Sequence, residues 1–184
     1  KIQANLDKHH RDRMAFVRLC SGVFERGMRL RHVRSGKQMA IRNAMTFLAR
    51  SRSTVEEAYP GDIIGVPNHG TLRIGDTFTE GEELAFTGVP SFAPELFRRA
   101  ELQDPLRGKA LAKGLEQMAE EGAAQLFRPL IGADYFIGVV GELQFQVIAS
   151  RLANEYNVQV RFSHMPWTMC RWVDCDDDTA TALK

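Results

Sequence analysis

Between residues 11 and 87 the chain alternates apolar and polar positions in short runs, each stopped by a glycine-containing turn. Arg13 to Cys20 reads as a strand apolar on both faces, with Ala15, Val17 and Leu19 on one side and Met14, Phe16 and Cys20 on the other. Such a strand suits a barrel wall whose outside is also covered. Turns at Ser21-Gly22 and Arg26-Gly27 lead to Met28–Val33, where Met28 and Leu30 oppose Arg29 and Arg31. After Ser35-Gly36, Met39 and Ile41 alternate with Gln38 and Arg42. Pro60-Gly61-Asp62 precedes Ile63-Ile64-Gly65-Val66, and Gly75-Asp76 follows Leu72-Arg73-Ile74. Glycine before aspartate in both turns supplies the positive φ that tight corners need. Short strands at roughly ten-residue spacing without a helical period predict a small closed β-barrel.

Past Thr87-Gly88-Val89-Pro90 the period changes, so a boundary is expected near residues 87–91, with a barrel over 1–88 and an α/β domain over 89–184. Phe92–Leu102 is extended. Asp104 is an N-cap with Pro105 in the first helical position, and Leu106, Ala110, Leu111, Leu115 and Met118 form the inward stripe of a helix that Gly122 ends. Strands follow at Ala123–Arg128 and at Tyr135–Val140, the latter apolar throughout and therefore central. A second helix spans Glu142–Tyr156 with Leu143, Val147, Ile148 and Leu152 inward, entered through Gly141, where a side chain would crowd the strand before it. Val158–Phe162 closes a β-α-β-β-α-β, or split βαβ, unit of the α+β class, and Trp167–Val173 trails behind it.

Composition excludes disorder, since 44% of the 184 residues are hydrophobic and 26% charged. No apolar run approaches the ~20 residues of a membrane span, so no membrane partner is expected. The chain opens on Lys1 without an initiator Met or a secretory pattern, so it is expected to begin in mid-protein. Cys20, Cys170 and Cys175, an odd number without regular spacing, fit a reducing cytoplasmic compartment. Net charge is only +1, yet residues 1–60 hold 13 basic against 5 acidic side chains and the remainder holds 11 against 18. The basic excess gathers at Arg26, Arg29, Arg31, Arg34, Lys37, Arg42, Arg50 and Arg52, on or beside turns and alternating strands. Two readings stand level: a surface that tracks a phosphate backbone, or internal salt bridges to a neighbouring domain.

Other chemistry falls away. There is no G-x-x-x-x-G-K-[ST] and no G-x-G-x-x-G after a strand, so no loop cradles a nucleotide phosphate. His10-Arg11-Asp12 opens like a kinase catalytic loop, but Val17 stands where a metal-binding Asn is required. Cys170, Cys175 and His164 make one loose cluster rather than two close ligand pairs, so packing thiols are preferred to zinc ligands. The run Asp174, Asp176, Asp177, Asp178 lacks the glycine and terminal glutamate of a calcium loop. None of the serines sits in a nucleophile elbow. Tyr135-Phe136-Ile137-Gly138 is the nearest approach to the base-stacking strand of an RNA-recognition module, but lacks its basic-glycine-aromatic signature, and a buried strand is the preferred reading.

These stretches together carry a resemblance. Ala15-Phe16-Val17-Arg18-Leu19-Cys20-Ser21-Gly22, Arg26-Gly27-Met28, Tyr59 to Gly65 and Leu72 to Thr77 resemble the second, barrel domain of translational GTPases. Gly138-Val139-Val140-Gly141-Glu142-Leu143-Gln144-Phe145 is similar to the third domain of the elongation factor G group. His69-Gly70-Thr71, Phe92 to Arg99 and Ser150 to Val158 resemble the peptide-chain release factor three family within that group. The resemblance implies a translation-factor barrel followed by a third-domain-like split βαβ fold. It also implies an intact GTPase with an upstream domain holding GTP or GDP and Mg²⁺, which drives class I release factors off the bacterial ribosome. The implied partners are the ribosome (rRNA and small-subunit protein), class I release factors indirectly, and the protein's own GTP-binding domain, with no small-molecule substrate here. For this chain it implies a non-catalytic relay and docking portion, with no catalytic, cofactor or metal residue. The alternatives are the matching domains of elongation factor G or a ribosomal protection protein, and a free-standing RNA-binding protein.

Overall fold

The computed structural model describes residues 1–5, 13–48 and 51–174. They fall into two compact units, Lys1–Pro90 and Ser91–Lys184. In the first unit β1 (Ile2–Ala4), β2 (Arg13–Arg18), β3 (Phe24–Glu25), β4 (Arg29–His32), β5 (Lys37–Ala40), β6 (Met45–Leu48), β7 (Ser51–Thr54), β8 (Glu57–Ala58), β9 (Ile63–Pro67) and β10 (Phe78–Thr79) follow in order. They build sheets ordered β1-β2-β9-β6-β7, β10-β4-β5 and β3-β8, every pair antiparallel. All three sheets feed one barrel-like core that includes Ile2, Ala15, Phe24, Ile41, Val55, Ile64, Val66 and Leu72.

The two-sided apolar pattern of β2 has a structural cause. Ala15 and Val17 face the core. Phe16 meets Phe47 of β6 with ring centroids 5.3 Å apart, and Met14 is buried. In the two Gly-Asp turns Gly61 has φ +101° and Gly75 +88°, as expected of glycines at such corners. Leu72-Arg73-Ile74, expected as a strand, is a loop. The side chain of Asn68 replaces a strand neighbour there: it accepts the Leu72 N–H and donates to the Leu72 carbonyl, both at 3.0 Å.

The second unit orders its sheet β12-β13-β11-β14. Its elements are β11 (Leu96–Leu102), α1 (Gly108–Glu120), β12 (Gln125–Phe127), β13 (Tyr135–Val139), α2 (Glu142–Tyr156) and β14 (Val160–His164). With every pair antiparallel, this is the split βαβ arrangement. Both helices pack on one sheet face, burying Leu111, Leu115, Met118, Phe145, Ile148 and Leu152 against Ala100, Ile137 and Val139. No helix among the described residues is long and apolar enough to cross a membrane.

Four expectations need correcting here. Leu106 points away, 91% exposed, because Asp104 caps a 3₁₀ turn (Pro105–Arg107) before α1 begins. Leu143 and Val147 also face outward at 71% and 55% exposure. The rotation of α2 is set by Phe145, whose ring packs on Phe162 of β14 (5.2 Å) and lies under the Arg98 guanidinium (4.5 Å). β14 starts two residues late because Asn157 adopts a left-handed C-cap and the Val158 N–H closes onto the Leu152 carbonyl. At Gly141 a Cβ would meet only Gln144 Oε1, at 4.0 Å, so crowding does not explain that glycine. The crowded one is Gly138, where a Cβ would lie 2.8 Å from both Phe127 and Pro94.

Candidate nucleic-acid interface

The strand alternation of β4 delivers Arg29 and Arg31 to its outer side, opposite Ala40 and Gln38 of β5, while Leu30 turns inward opposite Met39. Seven of the eight expected basic residues lie among the described residues. They divide by what holds them. Arg26 binds Glu56 (2.8 Å) and the Arg42 carbonyl (3.0 Å). Arg31 binds Glu83 (2.7 Å) and the Gly81 carbonyl (3.1 Å). Arg34 grips both carboxylate oxygens of Asp76, at 2.6 and 2.9 Å, and donates to the Thr71 carbonyl. Arg52 lies over the Phe47 ring at 5.7 Å. Arg50 lies outside the described residues. Arg29, Lys37 and Arg42 are exposed, and their side chains have no partner among the described residues.

The internal partners centre on a group that the sequence reading missed. His32 is fully buried, continuing the inward row of Met28 and Leu30. Its Nδ1 lies 2.7 Å from Ser35 Oγ, and its Nε2 lies 2.8 Å from Asp76 Oδ2, off the axis of a well-formed hydrogen bond. Asp76 also accepts the Arg73 N–H at 2.7 Å. Serine, histidine and aspartate in a row suggest nucleophilic chemistry, but the arrangement is a clamp. The imidazole has no exposed surface, and the carboxylate already serves Arg34 and a backbone N–H. The one available signal was His32 in phase with two core residues on an alternating strand.

Burial would push the Asp76 carboxyl up; the bonds from Arg34 and the Arg73 N–H, together with the adjacent His32, outweigh it and hold its pKa at about 2. A depressed carboxyl contributes stability that is fully present above its unfolded value near 4 and lost as pH falls through about 2. The first unit should therefore lose about 1–2 kcal/mol between pH 4 and pH 2 from this group, discounting for the partly exposed Arg34. Acid titration of unfolding in the wild type and in Asp76→Asn checks this: the variant's curve should be flatter across that window.

In the second unit, Ile137 of the Tyr135–Gly138 stretch is buried under the helices. Phe136 instead faces the uncovered side of the sheet and meets the Trp167 ring at 4.7 Å. Cys170 lines the cleft beside them, and Cys175 lies outside the described residues.

Comparison with known proteins adds three findings. Residues 86–184 match the family described as class II release factor RF3, C-terminal domain. Residues 1–81 match elongation factor G domain 2. A crystal structure of ttk003000868 from Thermus thermophilus superposes with a TM-score of 0.72 and 25% identity, covering 89% of this chain and 24% of that one. The chain thus spans about a quarter of that protein's length.

Proposed function

We propose, from a chain that belongs to the class II release factor RF3 family, that these two units are the ribosome-docking and conformational-relay portion of a translation termination factor. The observation that carries this reading is the succession within one chain of an elongation factor G domain 2 and an RF3 C-terminal domain. The match of the second unit favours the release factor over elongation factor G or a ribosomal protection protein. The whole protein would act in the cytoplasm and use GTP hydrolysis to drive class I release factors off the bacterial ribosome. GTP, GDP and Mg²⁺ would sit in its own nucleotide domain, and the present units would move as bodies against that domain. The residues here do not fit a nucleotide. The phosphate-cradling loop is missing from the sequence.

Exposure selects the docking residues. Arg29, Lys37 and Arg42 are available to rRNA phosphates, whereas Arg26, Arg31 and Arg34 are engaged by carboxylates of their own unit. Changing Arg29, Lys37 and Arg42 together to alanine should weaken ribosome binding at least about ten-fold and reduce the salt slope by about 0.7–0.9 log units per lost phosphate contact. Filter binding across a salt series measures both. An unchanged slope would contradict this assignment. Isothermal titration of the chain with GTP should give no binding heat, and tight binding would overturn the relay reading.

A further inference from the structure

The helices of the second unit cover one side of its sheet; the other side carries no helix, although Phe97 there is only 5% exposed. On that side stand Phe97 of β11 and Phe136 of β13, the two central strands, with Phe127 of β12 directly opposite Phe136. Phe97 and Phe127 lie 5.8 Å apart. Gly138, paired with Phe97, lets the Phe127 ring and Pro94 lie directly on the strand, since a Cβ there would meet both at 2.8 Å. Trp167 leans on Phe136 at 59°, a tilted contact rather than a parallel stack, and is 43% exposed. These rings enclose a cleft of about 230 Å³. That is several times the ~30 Å³ of a water and room for a planar ring.

We infer that this helix-free face is a stacking platform for unpaired nucleobases of single-stranded RNA, separate from the basic strands of the first unit. Aromatic side chains on the two central strands of a split βαβ sheet are the arrangement on which bases stack. Charge favours a nucleic acid over an apolar peptide: Arg99 stands across from Phe136 and the exposed Arg161 across from Glu101 on the same face, while Arg128, which also lines the cleft, is held by Glu116. Glu101, the acid on that face, is already bonded to Arg99 and Ser163, each at 2.7 Å, so it does not oppose a phosphate as a free charge. Lacking the basic-glycine-aromatic signature, the platform would take bases by their π faces with little sequence preference.

The sequence holds two tryptophans, so Trp172→Phe leaves Trp167 as the sole reporter of the cleft. Titrating that variant with a short oligoadenylate should quench Trp167 saturably, while inorganic polyphosphate should not. Adding Phe136→Leu should weaken the oligonucleotide about ten-fold or more, and Phe136→Tyr, which keeps a ring, should retain affinity. Exchanging Arg29, Lys37 and Arg42 for alanine should leave the quenching in place, so failure here and failure of the docking assignment are separable. No quenching by oligoadenylate, equal quenching by polyphosphate, or loss of affinity in Phe136→Tyr equal to that in Phe136→Leu would each overturn the proposal.

Discussion

Replacing Asp76 by alanine should lower the unfolding free energy of the first unit by about 3 kcal/mol, measured as a shift of the denaturant midpoint without a change in slope. The substitution strands three groups at once. His32 is left without its Nε2 neighbour, Arg34 without its bidentate partner, and the Arg73 N–H without an acceptor. A buried polar group that loses its partner costs about 1–3 kcal/mol. The three losses share one carboxylate and do not add fully. Arg34→Ala should cost far less, about 1 kcal/mol, because the carboxylate keeps the Arg73 N–H and His32. Equal losses for the two variants would mean that the ion pair, and not the buried histidine, holds the corner together.

The second large effect reverses an ordinary expectation. Gly to Ala inside a helix normally stabilises by about 0.5–1 kcal/mol. At Gly114 of α1 a Cβ would lie 2.6 Å from Leu152 Cδ2 and 3.2 Å from the Tyr156 ring. Leu152 is fully buried, and Tyr156 is tied to Gln117 through its hydroxyl, so neither can swing aside. Gly114→Ala should therefore destabilise by about 1–2 kcal/mol and Gly114→Val by about 3 kcal/mol or more. Thermal unfolding of the two variants decides it. A raised Tm for Gly114→Ala would contradict the close helix approach.

How much of this was legible in the sequence depends on the range of the interaction. The bounds of α2 were readable because its signals are local: the apolar period, Gln144 accepting the Gly141 N–H, and the left-handed cap at Asn157. Its rotation was not readable. Leu143 and Val147 form an i, i+4 row as apolar as Ile148 and Leu152, and only the Phe145–Phe162 contact from a distant strand chooses between them. The same holds for the basic stretch. Alternation showed which arginines leave the barrel wall, but Asp76 is 42 residues from Arg34 and Glu83 is 52 from Arg31. Those pairings, which separate engaged from available cations, exist only once the sheets close. The loop at Leu72 misled the strand reading for a similar reason, since a side-chain amide imitates a ladder partner.

The measurement closest to the central claim is co-sedimentation of this chain with bacterial 70S ribosomes at low salt, followed by competition with an intact class II release factor. The chain should pellet with ribosomes without added nucleotide, and the intact factor should displace it stoichiometrically. A chain that stays in the supernatant, or that pellets but is not displaced, contradicts the reading of these two units as the docking portion of a termination factor.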